Sequence, residues 1–488
     1  AAGCRPNPPM KPRVNHLALT AWSAVLQWSR VGMNALVFLV LSRWLTLSEI
    51  GVVAAVYAPI IILQSLLTAT VPEYVVQERL PTQRRLSTIF WLSGGAGLLL
   101  CMACLLGAPW VAGRLDHPDA VVYMRVLGFS PLCWSMAAVA EGLHRKALQT
   151  RQLALRTLMA SSIGAGAAIT AGHAGWGGWA IVIFTVLTAA VSAVITVWTC
   201  AWRPSWVFSR GHARRRWPVL KALIGRNLLA AATMPLIQYV TALQLGTHDA
   251  GILQISTRIY TLVDSVVMTP YRFVVMPLFA ALRSAQDDVG DKAARAVAMG
   301  TFVSVPVYMG LALVAPVLLP TAVGAANGLP SVPIVQWLCL HGVLASASPV
   351  ANQILTARGA ASVAFLRSRQ TFAFAVVPTL LATMHSLQAV AFTYGVIGGL
   401  ASLALTLRAL HNTLGVPAAS LFSPWLRICL AGLAMAPVQA LSLLAHTLPG
   451  YALLGLQMLL APPLYAAGAR CFAAPVLSMF VQRLKRPR

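Results

Sequence analysis

Two arginines and an aspartate stand inside an otherwise apolar stretch, and they set the chemistry to be explained. From Gln238 to Asp288 the chain reads QYVTALQLGTHDAGILQISTRIYTLVDSVVMTPYRFVVMPLFAALRSAQDD. Its portion Gly251 to Arg272 is long enough for a helix to cross a hydrocarbon core of roughly 30 Å at about 1.5 Å per residue. On that helix Arg258, Thr261, Ser265, Thr269 and Arg272 follow in steps of three and four, so they share one face. A charge near a bilayer centre costs about 2.5 to 3.5 kcal/mol on insertion scales, so this face is expected to look into protein or a wet cavity. Asp264 follows Arg258 by six residues, about 240° round the helix, and the two are not a same-face ion pair. Each needs its own partner, water or ligand. Asp264 is open to a proton or ion role or to a structural pairing.

Arg30 adds a third cation within a span. It shares a face with Ser23 and Gln27 in WSAVLQWSR, a run too polar to meet lipid. The functional reading of Arg30 and Arg258 is a cationic wall of a central cavity, with Arg272 and Arg125 nearer the span ends, where an arginine can snorkel to the interface. Tyr260 and Gln254 could hydrogen-bond a sugar or serve as interhelical glue, and Pro270 and Pro277 are expected to bend their helix. Glu141 and His144 make one E-x-x-H, whereas a di-iron site wants two with further carboxylates, so no metal is expected. Cys101 and Cys104 have C-x-x-C spacing in mid-span, where buried thiols are ordinary. No phosphate loop of the G-x-x-x-x-G-K-[ST] type is present, and no cofactor is called for.

The elements that must position these groups are membrane helices. Hydrophobic residues form 58% of the 488 and charged residues only 10%, against about 25% charged in a soluble domain. The expected fold is therefore all-α, a polytopic integral membrane protein of about fourteen (twelve to fourteen) spans. Apolar segments run 17–41, 51–69, 88–108, 120–140, 158–171, 178–198, 227–245, 251–272, 296–319, 335–354, 372–384, 389–407, 428–444 and 451–467. The opening AAGCRPNPP before Met10 has no apolar h-region, so a cleaved signal peptide is not expected.

Charge fixes the orientation. The net charge of +25 would suit nucleic acid, but its distribution follows topology instead. With the N terminus inside, 30 of the 36 Lys and Arg fall in cytoplasmic segments, while the external loops hold only Arg43 and Arg114. Arg30, Arg125, Arg258 and Arg272 lie within spans. Both termini are expected to be cytoplasmic; the Arg214 to Arg216 cluster could also touch anionic lipid headgroups without forming a separate site, membrane lipids are the expected surroundings, and no nucleic acid partner is expected.

A repeat is visible at an offset of 200. Leu45, Glu49, Gly51, Gln64 and Ser65 correspond to Leu245, Asp249, Gly251, Asp264 and Ser265. An acidic-x-Gly turn thus opens a helix with a polar pair at one depth in both halves, as in parallel repeats. The expected organisation is a cytoplasmic tail (1–16), an N-lobe (17–201), a basic cytoplasmic connector (202–226), a C-lobe (227–410), two further spans (411–470) and a basic tail (471–488).

The stretches LSRWLTLSEIGVVAAV, VVQERLPTQRRLSTIFWLSGGAGLLL, EGLHRKALQTRQLALRTL, AGHAGWGGWAIV, LQLGTHDAGILQISTRIYTLVD and MPLFAALRSAQDD resemble the polysaccharide-transport family. These are the Wzx-type flippases of the multidrug/oligosaccharidyl-lipid/polysaccharide exporter superfamily. The resemblance implies two six-helix lobes plus two helices around a cationic cavity that opens alternately to each side. It also implies a substrate of undecaprenyl-pyrophosphate carrying an oligosaccharide repeat unit, moved across a bacterial inner membrane for exopolysaccharide, capsule or O-antigen synthesis. Polysaccharide polymerase and glycosyltransferases are the further partners it suggests. The DTLLIG-like segment of the family reads YVTALQLG here and lacks its acid.

The residues agree on separate grounds. Arg presents a planar, permanently charged fork suited to phosphate, and four arginines in spans against one carboxylate favour an anionic cargo. Three other readings stay open: a lipid II flippase, a drug/cation antiporter of the same superfamily, and a membrane glycosyltransferase or polymerase. The antiporter would be expected to bury more carboxylates, and the enzyme would need larger external loops than these.

Overall fold

The computed structural model describes residues 31–78, 82–115, 117–281, 289–357, 361–441 and 449–478. Within hydrocarbon every backbone amide must be satisfied internally, and helices do this within a single segment. No strand occurs among the described residues. The helices are α1 (Val31–Leu41), α2 (Leu47–Gln77), α3 (Gln83–Ala112), α4 (Ala120–Leu127), α5 (Phe129–Lys146), α6 (Thr150–His173), α7 (Trp179–Thr199), α8 (Arg210–Gln244) and α9 (Thr247–Ala281). They continue as α10 (Val289–Val323), α11 (Ala325–Ala345), α12 (Ser348–Ala357), α13 (Ala361–Ala382), α14 (Leu387–Phe392), α15 (Gly399–Leu414), α16 (Ala418–Leu433), α17 (Pro437–Ala440) and α18 (Gly450–Phe472).

Among the described residues ten helical stretches are long and apolar enough to cross a membrane. Within the described residues the apolar segments read from the sequence fall on these helices and on α1, α8, α9 and α13, except that 335–354 is displaced: the span is Ala325–Ala345, and the segment runs past its end onto α12. Two further differences stand out. Most of the basic connector is helical, because α8 already begins at Arg210, where Ala, Leu, Lys and Arg favour helix. And α9 continues as helix through Pro270 and Pro277.

The centre of the assembly is α2. It packs against α3, α4 and α5 on one side and against α8 and α9 on the other. Consecutive Val52, Val53, Ala55 and Val56 are all nearly inaccessible, which is why α2 reads as apolar all round rather than as a stripe. In the same way α9 packs on α10, α11 and α12 and turns another face to α2. A first group of helices, α2 to α7, thus meets a second, α9 to α15, along the α2–α9 seam. Helices α16 and α18 pack on each other and on α10.

At one end the seam closes backbone to backbone. A capping box starts α2: Glu49 Oε2 accepts from the Thr46 amide at 2.8 Å, and Thr46 Oγ1 accepts from the Glu49 amide at 3.3 Å. One turn on, a Cβ at Gly51 would lie 1.7 Å from the Thr247 carbonyl oxygen, and a Cβ at Gly251 would lie 1.9 Å from the Leu47 carbonyl oxygen. Only glycine permits that approach, as at small-residue helix crossings in membranes. Ser48 Oγ lies 2.8 Å from Thr247 Oγ1 beside it.

The neighbouring turns are clamped too. Arg43 donates from Nη2 to the Thr321 carbonyl (2.6 Å) and from Nε to the Ala322 carbonyl (3.1 Å), capping the last turn of α10. Asn327 Nδ2 donates to the carbonyls of Ser42 (2.6 Å) and Leu45 (2.9 Å).

A six-residue π-helical stretch, Thr393–Gly398, joins α14 to α15. Its irregular bonding leaves the Tyr394 carbonyl within 3.1 Å of His341 Nδ1, while Gly395 presses on the Trp337 carbonyl.

Replacing Gly51 or Gly251 by Val forces the two backbones apart by at least about 2 Å to restore van der Waals contact. Spin labels at the exposed Trp44 and His248 are expected to report that lengthening by double electron–electron resonance. An unchanged distance would contradict the glycine contact.

Candidate functional site

The site begins two turns along α9 from Gly251. Ile255, Ser256, Thr257 and Ile259 are buried, yet Arg258 between them is exposed, as is Thr261. Arg258 nevertheless lies deep among the helices, its guanidinium carbon 5.9 Å from the Phe38 ring centre on α1. It also lies within electrostatic reach of Tyr57 on α2. An exposed side chain walled by α1, α2 and its own helix borders an internal space between the two helix groups. α2 and α9 touch at Gly51 and Gly251, and Arg258 lies about two turns further along α9. Arg258 has no carboxylate partner among the described residues, and no hydrogen bond holds its guanidinium there.

Opposite Arg258, on α2, Tyr57 belongs to a polar cluster with Gln64 and Ser130. Ser130 Oγ on α5 donates to Gln64 Oε1 at 3.1 Å. The wall therefore offers one unpaired cation with phenol and amide groups. That combination is suited to an anion carrying hydroxyls.

Asp264 follows a different course. Its Oδ1 accepts from Tyr308 Oη on α10 at 2.6 Å, and Tyr260 stacks on Tyr308 with ring centres 5.6 Å apart. Asp264 thus faces its own helix group and leaves Arg258 alone. Gln254 is occupied by Gln238 Nε2 at 2.6 Å, and Ser265 Oγ donates to the Leu262 carbonyl at 2.8 Å. Arg125 is exposed on α4 with Val122, and Phe129 at the start of α5 is exposed as well; no contact joins Arg125 to Arg258 among the described residues. Arg30 and Gln27 lie outside the described residues, and so does the side chain of Arg272.

The E-x-x-H is structural. Glu141 pairs with Arg145 (2.6 Å) and Arg156 (3.5 Å), and His144 Nδ1 lies 2.6 Å from Gln149 Oε1. No group of three metal-ligating side chains occurs among the described residues, and Cys101 and Cys104 are free thiols. Residue-level reading missed Phe38, Tyr57 and Tyr308, whose contacts join helices far apart in sequence. His341, half-buried against Tyr394 with ring centres 4.4 Å apart, was a missed signal of another kind: an ionisable residue within a span is a candidate by default.

The described residues form a helical membrane assembly in which two helix groups meet along α2 and α9. A sequence profile described as polysaccharide biosynthesis protein matches residues 40–327. The chain belongs to that family. It is 21% identical over 346 residues to the teichuronic acid biosynthesis protein TuaB of Bacillus subtilis, covering 70% of this chain and 71% of that one. It is 20% identical to the lipopolysaccharide biosynthesis protein WzxC of Escherichia coli, over 77% of this chain and 76% of that one. In fold it is similar to the lipid II flippase MurJ in an inward closed conformation, with a TM-score of 0.75 and 12% identity over 96% of this chain and 100% of that one. A multidrug transporter of the MATE family, inward-facing, superposes with a TM-score of 0.55 and 15% identity over 81% of this chain and 96% of that one.

Arg258 and Arg156 are predicted to respond differently to removal. Arg156→Ala removes a buried hydrogen bond to Thr196 and one of the two arginines that pair with Glu141, and is expected to cost about 1–3 kcal/mol. Arg258→Gln breaks no pair and is expected to cost under about 0.5 kcal/mol. Thermal unfolding in detergent measures both; a comparable loss in the two variants would make Arg258 structural.

Proposed function

We propose that this protein is a flippase that carries an undecaprenyl-pyrophosphate-linked oligosaccharide repeat unit from the inner to the outer leaflet of a bacterial inner membrane. The observation that carries this is Arg258, an exposed cation without a carboxylate partner inside a membrane protein of the polysaccharide biosynthesis family. An arginine left unpaired at that depth needs an anion, and a diphosphate offers the oxygens that fit a guanidinium fork. The names of the relatives support the reading: WzxC and TuaB are biosynthesis proteins of lipopolysaccharide and teichuronic acid.

In this reading the Gly51–Gly251 end is the external one, as the charge distribution assigns it, and the cavity is closed there. Substrate enters from the cytoplasmic side, and its diphosphate meets Arg258, with Arg30 and Arg272 as further cations of the same wall. Separation of α2 from α9 then opens the path outward. An inside-negative potential contributes about 2.3 kcal/mol per charge per 100 mV, so outward movement of a diphosphate runs downhill without ATP. Both termini are cytoplasmic, and polymerase and glycosyltransferases act before or after the transfer.

The fold shared with the lipid II flippase MurJ favours one second reading, transport of lipid II itself, which presents the same diphosphate. In vesicles, wild type is expected to flip undecaprenyl-pyrophosphate oligosaccharide and Arg258→Gln to lose that activity at least about tenfold, with insertion and unfolding temperature unchanged. Retained activity in the variant would overturn the anion-binding role. Faster flipping of lipid II than of the oligosaccharide lipid would establish the second reading instead.

A further inference from the structure

The two helix groups bury one arginine each at matching places, and they balance its charge differently. Arg156 lies six residues into α6, buried at 8% exposure. Its Nη1 donates to Thr196 Oγ1 on α7 at 2.9 Å, and Glu141 on α5 lies 3.5 Å away as countercharge. Arg367 lies six residues into α13, buried at 5% exposure. Its Nη1 donates to Thr406 Oγ1 on α15 at 2.5 Å and to Ser348 Oγ on α12 at 3.0 Å.

The acid does not repeat. Glu141 precedes Arg156 by fifteen residues, and the residue fifteen before Arg367 is Asn352. Asn352 Oδ1 and Arg367 Nε are both buried without a hydrogen-bond partner. Around the guanidinium stand hydroxyls: Ser348 Oγ is 2.6 Å from Ser402 Oγ and 2.8 Å from Thr406 Oγ1. No carboxylate pairs with Arg367 among the described residues. Hydroxyls satisfy hydrogen bonds but leave a buried positive charge uncompensated, and such a charge is stable only with a counterion.

We propose that Arg367, with Ser348, Ser402 and Thr406, binds a small anion that supplies in the second helix group the countercharge Glu141 supplies in the first. Guanidinium and hydroxyl donors suit a halide or a single phosphate oxygen. The near-complete burial of Arg367 excludes a large ligand. Because α13 begins only six residues away, the site lies near a membrane surface, so its anion comes from the solvent or from a lipid phosphate.

The test is thermal unfolding of the full-length protein by tryptophan fluorescence. One pair of samples is in uncharged-lipid nanodiscs in sodium bromide or sodium gluconate of equal ionic strength. A third is in nanodiscs containing phosphatidylglycerol, in gluconate. Wild type is expected to unfold about 1–3 °C higher with bromide or with phosphatidylglycerol than with gluconate alone, and the arm that gives the rise identifies the source. Asn352→Asp installs the carboxylate of the first helix group, so it is expected to reach the higher temperature in gluconate and to gain nothing from either anion. Arg367→Gln is expected to lose the response. A wild type indifferent to both anions would overturn the site, as would Asn352→Asp or Arg367→Gln responding as the wild type does.

Discussion

The architecture depends on one contact, the backbone-to-backbone approach of α2 and α9 at Gly51 and Gly251. Each glycine sits where a Cβ would fall less than 2 Å from a carbonyl oxygen of the other helix. No rotamer relieves such a clash, because the opposing atoms are backbone. The contact therefore exists only with glycine at both places, and a closely packed crossing of this kind draws on dispersion and weak Cα–H···O bonds rather than on side chains. Arg258 lies seven residues, about 10 Å, along α9 from the crossing, and is exposed there.

Charge is then sorted by surroundings. Arg43 neutralises the carbonyl end of α10, and Arg156 has Glu141. Each of these cations has a structural task. Arg258 has no carboxylate partner and no side-chain hydrogen bond among the described residues.

Much of this was legible in the sequence, for physical reasons. Hydropathy located the helices because lipid admits little else. The offset of 200 picked out Gly51 and Gly251 as equivalents, though not that they touch, since a repeat shows correspondence and not contact. The three-and-four spacing placed Arg258 and Thr261 on one face, and both are exposed, Arg258 between buried neighbours and Thr261 between half-buried ones. What it missed lies in contacts between distant helices: Tyr308 is 44 residues from the Asp264 it holds, and no local pattern announces that pairing. Arg125 reads both as a cavity cation and, from its depth near the span end, as a snorkelling arginine, and its exposure on α4 fits either. The helical start of α8 at Arg210 was hidden because a basic, polar run reads as a connector whether or not it is coiled.

The central claim is that the α2–α9 seam closes one side of the transport path and must part for cargo to cross. Ser48 and Thr247 face each other there with their hydroxyl oxygens 2.8 Å apart, a separation that suits a disulfide when both are cysteine. The decisive measurement is flipping of undecaprenyl-pyrophosphate oligosaccharide in vesicles by Ser48→Cys/Thr247→Cys, in a background without the native cysteines. Oxidation is predicted to stop transport and reduction to restore it; undiminished flipping by the cross-linked protein would contradict the account.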